Sequence, residues 1–399
     1  MLKINSLNMK RQTQAIHTPY HRRDAYDALA VPVYNQVAFE FDNAEQMALA
    51  FTNKIDAPDY GRVENPTTIN LERRVQALTG AKSVSALNSG MAAISNTLFG
   101  VAEAGKNIVT SKHVFGNTYA LLTSTLCRLG IETRLVDLTN IKEVEAATDV
   151  NTCCIYLEIV TNPQQEVADL KALASVAHQW RIPLIADSTA IPFTETNLKE
   201  LGVDIEVVSS TKYLSGGGTS LGGLIIDYGT TPGFTERIKL ELMFNLGAYM
   251  TPQAAYMQTL GLETLNARYR VQASNAQLLA ERMQKELKGR LTVNYVGLAD
   301  NPFHELARRQ FGPTAGAMVC IDLESRDACF RFIDRLKLIH RATNLFDNRS
   351  LAIHPASTIF GNFTEEQVAA MDVQQTTIRL SIGLEDPDDL FEDIKQALA

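Results

Sequence analysis

The stretch GVDIEVVSSTKYLSGGGTSLGGLII, residues 202–226, joins an apolar run, a lysine and a glycine-rich loop. Its first part, IEVVSST (205–211), has the length and β-branched content of a strand buried on both faces, the kind found in a parallel sheet covered by helices. A lysine at the end of such a strand lies among apolar side chains and glycines. Partial desolvation there lowers the pKa of an amine and makes Lys212 a nucleophile or base. The alternative at this point is an ordinary solvated lysine. Ser209 and Thr211 alternate along the strand, so both hydroxyls can face one side and donate to a phosphate.

Working outward, short β-branched runs alternate with helical patterns from about residue 80, the order of a sheet built from parallel crossovers. The predicted strands are 83–87, 107–111, 132–137, 152–158, 182–187, 205–211 and 222–227, separated by helices such as VADLKALASVAHQW (167–180). Residues 1–65 show little periodicity and read as an irregular arm. Residues 66–255 read as the large α/β domain. A long helical pattern starts at residue 256, and from 292 strands (TVNYVGL, AGAMVCIDLE, TIRLSIGLE) mix with helices, which predicts a smaller α+β domain over 256–399.

Three further elements complete a chemical set. The apolar run IPLIAD (182–187) ends in Asp187, at the strand end where α/β enzymes place ligand contacts. An anion there suits pyridoxal 5′-phosphate (PLP): beside the pyridine nitrogen it keeps the ring protonated, and only the pyridinium drains electrons well from a substrate carbanion. A helix cap formed by Asp187 or Ser188 is the competing reading. In ALNSGMAAISNTL, Ser89, Gly90 and Met91 open a helix directly after a strand, where free amides bind phosphate and glycine allows close approach. Near the C-terminus Arg379, on the alternating run RLSIG, offers a two-pronged fork for an α-carboxylate, or is a surface arginine.

The bulk properties exclude several classes. The chain has 37 Lys and Arg against 45 Asp and Glu, a net charge of −8, with no basic block, which argues against nucleic acid. No apolar run approaches the roughly 20 residues of a membrane helix. The first twenty residues lack the apolar core of a secretory signal, so a cytoplasmic location is expected. The five cysteines form no CxxC pair and stand among Ile, Leu and Val, which predicts buried thiols. The seven histidines are scattered, so no metal site is expected.

Taken together, YGRVENPT (60–67), LNSGMAAI (87–94), FGNT (115–118), ExxxNP (158–163), ADST (186–189), SSTKY (209–213), HPAST (354–358) and RLSIGLEDPDDL (379–390) resemble the Cys/Met-metabolism family of PLP enzymes over nearly the whole chain. The resemblance implies the type I PLP (aspartate-aminotransferase-like) fold, with a mostly parallel seven-stranded sheet in the large domain, and a homotetramer of two tight dimers. It places Lys212 on the aldehyde carbon of PLP as a Schiff base and Asp187 on the pyridine nitrogen. Ser89, Gly90, Met91, Ser209 and Thr211 fall to the phosphate, joined by Tyr60 and Arg62 from the neighbouring subunit. Asn162 stands near cofactor and substrate, and Arg379 on the substrate carboxylate.

The chain departs from the family pattern in three places. Phe115 stands where a tyrosine usually stacks on the cofactor ring, which keeps the stacking but loses a phenol. The loop after the lysine is SGGGTS in place of a Gly-His type. Asn344, expected with Arg379 and Asn162 on the substrate, occupies a region that resembles the O-acetylhomoserine sulfhydrylases more than the γ-lyases. A thiolate leaves better when protonated, whereas a carboxylate needs little help, so a missing phenol costs an acyl-ester reaction less. The expected activity is γ-replacement on O-acetyl-L-homoserine, with sulfide, a thiol or a protein sulfur carrier as donor, giving homocysteine and acetate. Tyr60 is the remaining phenol for proton transfer. Cystathionine γ-synthase, methionine or cystathionine γ-lyase, and a PLP-binding protein with a mainly non-catalytic partner role are the other readings.

Overall fold

The apolar runs form one seven-stranded sheet in the order β1-β7-β6-β5-β4-β2-β3, in a computed structural model that describes residues 9–18, 24 and 26–399. Its strands are β1 (Ser83–Leu87), β2 (Asn107–Thr110), β3 (Glu132–Leu135), β4 (Thr152–Glu158), β5 (Leu184–Asp187), β6 (Ile205–Val208) and β7 (Gly223–Asp227). Strand β7 runs antiparallel to β1 and β6, and every other neighbouring pair is parallel. The expected type I PLP fold and mostly parallel sheet are what the chain adopts. Strands β5, β6 and β7 are buried at every position, because helices cover both faces.

Since β1, β2, β4, β5 and β6 share one direction, their carboxyl ends open on the same edge. The chain leaves that edge through local signals. After β1, Ser89 caps the helix Gly90–Val101, its hydroxyl accepting from Ala92 N at 3.1 Å. After β6, the loop 209–222 turns back into β7, and a side chain at Gly223 would strike the Ser89 carbonyl at 2.1 Å. Only glycine lets the loop close against the helix start.

A second, five-stranded sheet has the order β10-β11-β12-β9-β8, formed by β8 (Thr292–Asn294), β9 (Met318–Asp322), β10 (His340–Arg341), β11 (Leu351–Ile353) and β12 (Thr377–Ser381). The helix Pro252–Glu286, capped by Thr251 with Pro at its first position, packs on the helix Pro66–Thr79 of the large domain and on β8 and β9 of the small sheet, and buries Leu262, Leu265, Tyr269, Ala276 and Leu279. One apolar core runs continuously from the large sheet to the small one.

Some expectations need correction. The arm is less irregular than its composition suggests: it contains the helices Arg11–His17 and Ala44–Phe51. Arg11 pins the first by donating to the carbonyls of Thr194 and Thr196, and Asn43 caps the second. Residues 1–8, 19–23 and 25, which belong to that arm and to the segment weighed for targeting, lie outside the described residues. Of the cysteines, Cys154, Cys320 and Cys329 are buried, Cys153 is partly covered, and Cys127 is exposed at the end of its helix. Among the described residues no helix is long and apolar enough to cross a membrane, and no group of ligating side chains is placed to hold a metal.

Candidate active site

A cavity of about 380 Å³ opens where the carboxyl ends of the large sheet meet the small domain. Ser89, Gly90, Met91, Phe115, Asn162, Asp187, Ser209, Thr211, Lys212 and Arg379 all line it. Its size suits a small cofactor with a substrate. Strand β1 delivers the helix start, β2 delivers Phe115, β4 delivers Asn162, β5 delivers Asp187 and β6 delivers the Ser209–Lys212 turn. Arg379 arrives from the small sheet, on β12 between Cys320 of β9 and Ile353 of β11, and Met318 at the start of β9 joins it in the wall.

Lys212 is partly buried, and its Nζ donates to Asn344 Oδ1 at 3.1 Å. Burial, and then the charge of Arg379, pull its pKa down to about 8, with Asp187 opposing. The flanking residue is fixed: the Tyr213 ring stacks on Phe346 with centroids 4.0 Å apart, and its hydroxyl accepts from Ala317 N at 2.9 Å. The amine therefore moves on a rigid base.

Asp187 accepts from the Thr189 amide at 2.9 Å, and Thr189 Oγ1 in turn accepts from Ser209 N at 2.8 Å. Glu158, its register partner on β4, accepts from Phe115 N at 2.5 Å. Burial pushes both carboxyls up; the charge of Asp187 adds to the rise at Glu158, while the Thr189 hydrogen bonds and the charge of Lys212 restrain it at Asp187. A protonated ring nitrogen placed here would supply the missing cation.

At the phosphate end, Ser89 Oγ serves Ala92, so the first amides of the helix, Gly90 and Met91, remain for an anion. A Cβ on Gly90 would meet Ser209 Cβ at 2.6 Å, so glycine is what keeps this cradle open. Thr211 lines the cavity, but its hydroxyl closes the loop, accepting from Gly222 N at 3.0 Å and donating to Gly222 O at 3.2 Å.

Arg379 is 2% exposed and pairs with no carboxylate among the described residues. Its Nη1 donates to Asn162 Oδ1 at 3.4 Å and its Nη2 to the Asn344 carbonyl at 3.2 Å, while Nε has no partner. Burial pulls its pKa down to about 10. A buried guanidinium without its anion is a receptor for one. The donor set, the glycine cradle and the orphaned Arg379 nitrogen fit PLP with an amino-acid substrate.

Three expected residues do not line this cavity. Tyr60 is 40% exposed and does not line this cavity; Arg62 packs over its ring at 5.4 Å and donates to the Phe244 carbonyl at 2.6 Å. Asn344 contacts Lys212 from outside the cavity wall. Glu158 and Thr189 went unread as site residues, although both were within reach. Glu158 ends β4 as Asp187 ends β5, and Thr189 follows Asp187 by two positions.

The family described as Cys/Met metabolism PLP-dependent enzymes matches residues 12–399. The L-methionine gamma-lyase of Pseudomonas putida is 36% identical over 389 residues, spanning 97% of this chain and 96% of the relative. The O-acetyl-L-homoserine sulfhydrylase of Corynebacterium glutamicum is 32% identical, spanning 97% of this chain and 96% of its own. Among solved structures, an O-acetylhomoserine (thiol)-lyase from Campylobacter jejuni that holds a pyridoxyl-lysine monophosphate superposes with a TM-score of 0.94 at 32% identity, covering 98% of this chain and 100% of that one. With the match across the chain and a site built for the same cofactor, this chain belongs to the Cys/Met metabolism PLP-dependent enzymes.

Proposed function

We propose that the enzyme carries out γ-replacement on O-acetyl-L-homoserine with sulfide, giving homocysteine and acetate, in methionine biosynthesis. The observation that carries this reading is the cavity wall. Among the described residues of this chain lining it there is no tyrosine, histidine or cysteine, which leaves a neighbouring subunit's Tyr60 as the single phenol in place of two. The Cγ–O bond breaks with its electron pair leaving on acetate, a stable anion, and sulfide then forms the Cγ–S bond with its own pair. Neither step asks the wall for a strong acid.

PLP, when bound, supplies the electron sink that makes the α proton and then the γ substituent removable. The chain's residues do the rest. Arg379 and Asn162 hold the α-carboxylate, and Asp187 holds the ring nitrogen. Lys212, freed as a neutral amine, takes the proton from carbon α and delivers it onward. The Gly90 and Met91 amides and the Ser209 hydroxyl hold the phosphate, Ser89 capping the helix and Thr211 closing the loop beside it, and Phe115 covers the ring. Tyr60 and Arg62 serve the cavity of a neighbouring subunit, with Tyr60 as its phenol, in a homotetramer of paired dimers. Exposed Leu29, Val37, Phe51, Phe244 and Leu246 give such a neighbour an apolar face.

Two predictions follow from this chemistry. Cofactor capture by apo-protein needs the neutral amine, so its rate rises with pH and levels off above about 8. At pH 7 about one Lys212 in ten is neutral, against fewer than about one in a thousand for an ordinary lysine. Stopped-flow absorbance after mixing with PLP checks this, and an inflection near 10 contradicts it. Phe115→Tyr tests the functional reading: a restored phenol raises methionine elimination by about 10- to 100-fold and leaves homocysteine formation within about threefold. The L-methionine gamma-lyase similarity favours the competing reading, under which the unmodified enzyme eliminates methionine at full rate and the added phenol changes little.

A further inference from the structure

His113 lies outside the cavity, two residues before Phe115, and is 8% exposed. Its Nδ1 contacts a Glu166 carboxylate oxygen, and its Nε2 contacts Asp372 Oδ2 at 2.8 Å. A carboxylate only accepts, and a neutral imidazole has a single N–H. Satisfying both contacts therefore requires the doubly protonated ring. Lys112, on the same loop, pairs with Asp372 at 2.6 Å, and its hydrogen bond holds that carboxyl below the usual range. Glu158 borders the small cavity that Glu166 also lines.

Three segments meet at this ring, and each leads to the active site. The first carries Phe115, whose amide holds Glu158. The second is the turn containing Asn162: Thr161 N donates to the Glu166 carbonyl at 3.1 Å, and Glu166 N donates to Thr161 Oγ1 at 2.9 Å. The third follows the helix Glu365–Ala370, and its Met371 carbonyl accepts from Gln164 Nε2 at 2.8 Å. It continues a stretch that puts Ile359 in the cavity wall and Phe363 edge-on to Tyr119. Gln165 (φ 63°) and Asp372 (φ 52°) both hold left-handed backbone, disfavoured for residues with a side chain, on two sides of the same imidazole.

We propose that His113 is a positioning residue: as an imidazolium bridging Glu166 and Asp372 it latches the Phe115 loop and the Asn162 turn to the 371–373 segment, and so sets the affinity of the Arg379–Asn162 subsite for an amino acid's α-carboxylate. The role is independent of which γ substituent leaves. Burial opposes the charge on the ring, and the hydrogen bonds and charges of Glu166 and then Asp372 outweigh it, so the proton leaves above the ordinary histidine range. The latch is closed at neutral pH and opens as the solution becomes alkaline.

The test uses the full chain loaded with PLP and titrates it with L-alanine, which has no γ carbon, following the cofactor absorbance. His113→Gln is expected to weaken L-alanine binding about three- to tenfold near pH 7, with the difference shrinking toward unity as the pH is raised and the wild-type ring loses its proton. The double variant Glu166→Gln/Asp372→Asn offers a neutral ring one donor and one acceptor. It is expected to bind as wild type near neutral pH and to lose the latch's alkaline decline, and it carries the test alone if His113→Gln fails to fold. Unchanged binding in His113→Gln at neutral pH, a weakening of constant size across the range, or an alkaline decline retained in the double variant would overturn the proposal.

Discussion

Lys212→Ala is expected to abolish the visible absorbance of protein-bound PLP after dialysis and to lower turnover by at least about 10³-fold. The size follows from the two roles the amine has: it is the covalent anchor, and it is the base nearest carbon α. Among the described residues no other amine lines the cavity. Asn344 Oδ1 would lose its donor, but it lies beside other polar groups, and removing a partly buried cation next to Arg379 relieves repulsion. The fold is therefore expected to persist, with thermal stability equal to or above that of the parent. A variant that kept the absorbance band after dialysis would contradict the assignment of Lys212.

Arg379→Ala is expected to lower kcat/KM by about 10²- to 10³-fold, mostly through KM, because a buried two-pronged contact to a carboxylate is worth about 2–5 kcal/mol. Stability should move the other way. The wild-type guanidinium is almost fully buried without a counter-ion, and removing it relieves a desolvation cost that only substrate offsets. Melting temperature measured beside kinetics separates this from ordinary damage, in which both fall together. Arg379→Lys keeps a charge but not the fork, so it is expected to fall between the two.

The sequence was most legible where burial leaves few choices. Strands β4 to β7 are apolar on both faces, and such runs can be little else between glycine-rich turns. Asp187 at the end of β5, and Lys212 in the turn four residues past the end of β6, were legible for the same reason. Arg379 was readable as chemistry but not as geometry, because only tertiary packing of β12 against β9 and β11 carries it to the cavity. Strands β10 and β11, two and three residues long, carry too few side chains to show a period. The helix Pro66–Thr79 was signalled by Asn65, Pro66 and the left-handed Gly80 and still went unread, because its polar face blurs the apolar stripe. The His113 cluster was out of reach, since its three members lie on segments that only the fold brings together.

The central claim, γ-replacement on an acyl ester, is tested most directly by comparing two reactions of the purified enzyme. One is homocysteine formed from O-acetyl-L-homoserine and sulfide; the other is 2-oxobutyrate formed from L-methionine. A kcat/KM for the first at least about 100-fold above the second is the predicted result, corresponding to about 2.7 kcal/mol of transition-state preference. Methionine elimination equal to or faster than homocysteine formation would contradict it and assign the enzyme to the γ-lyases.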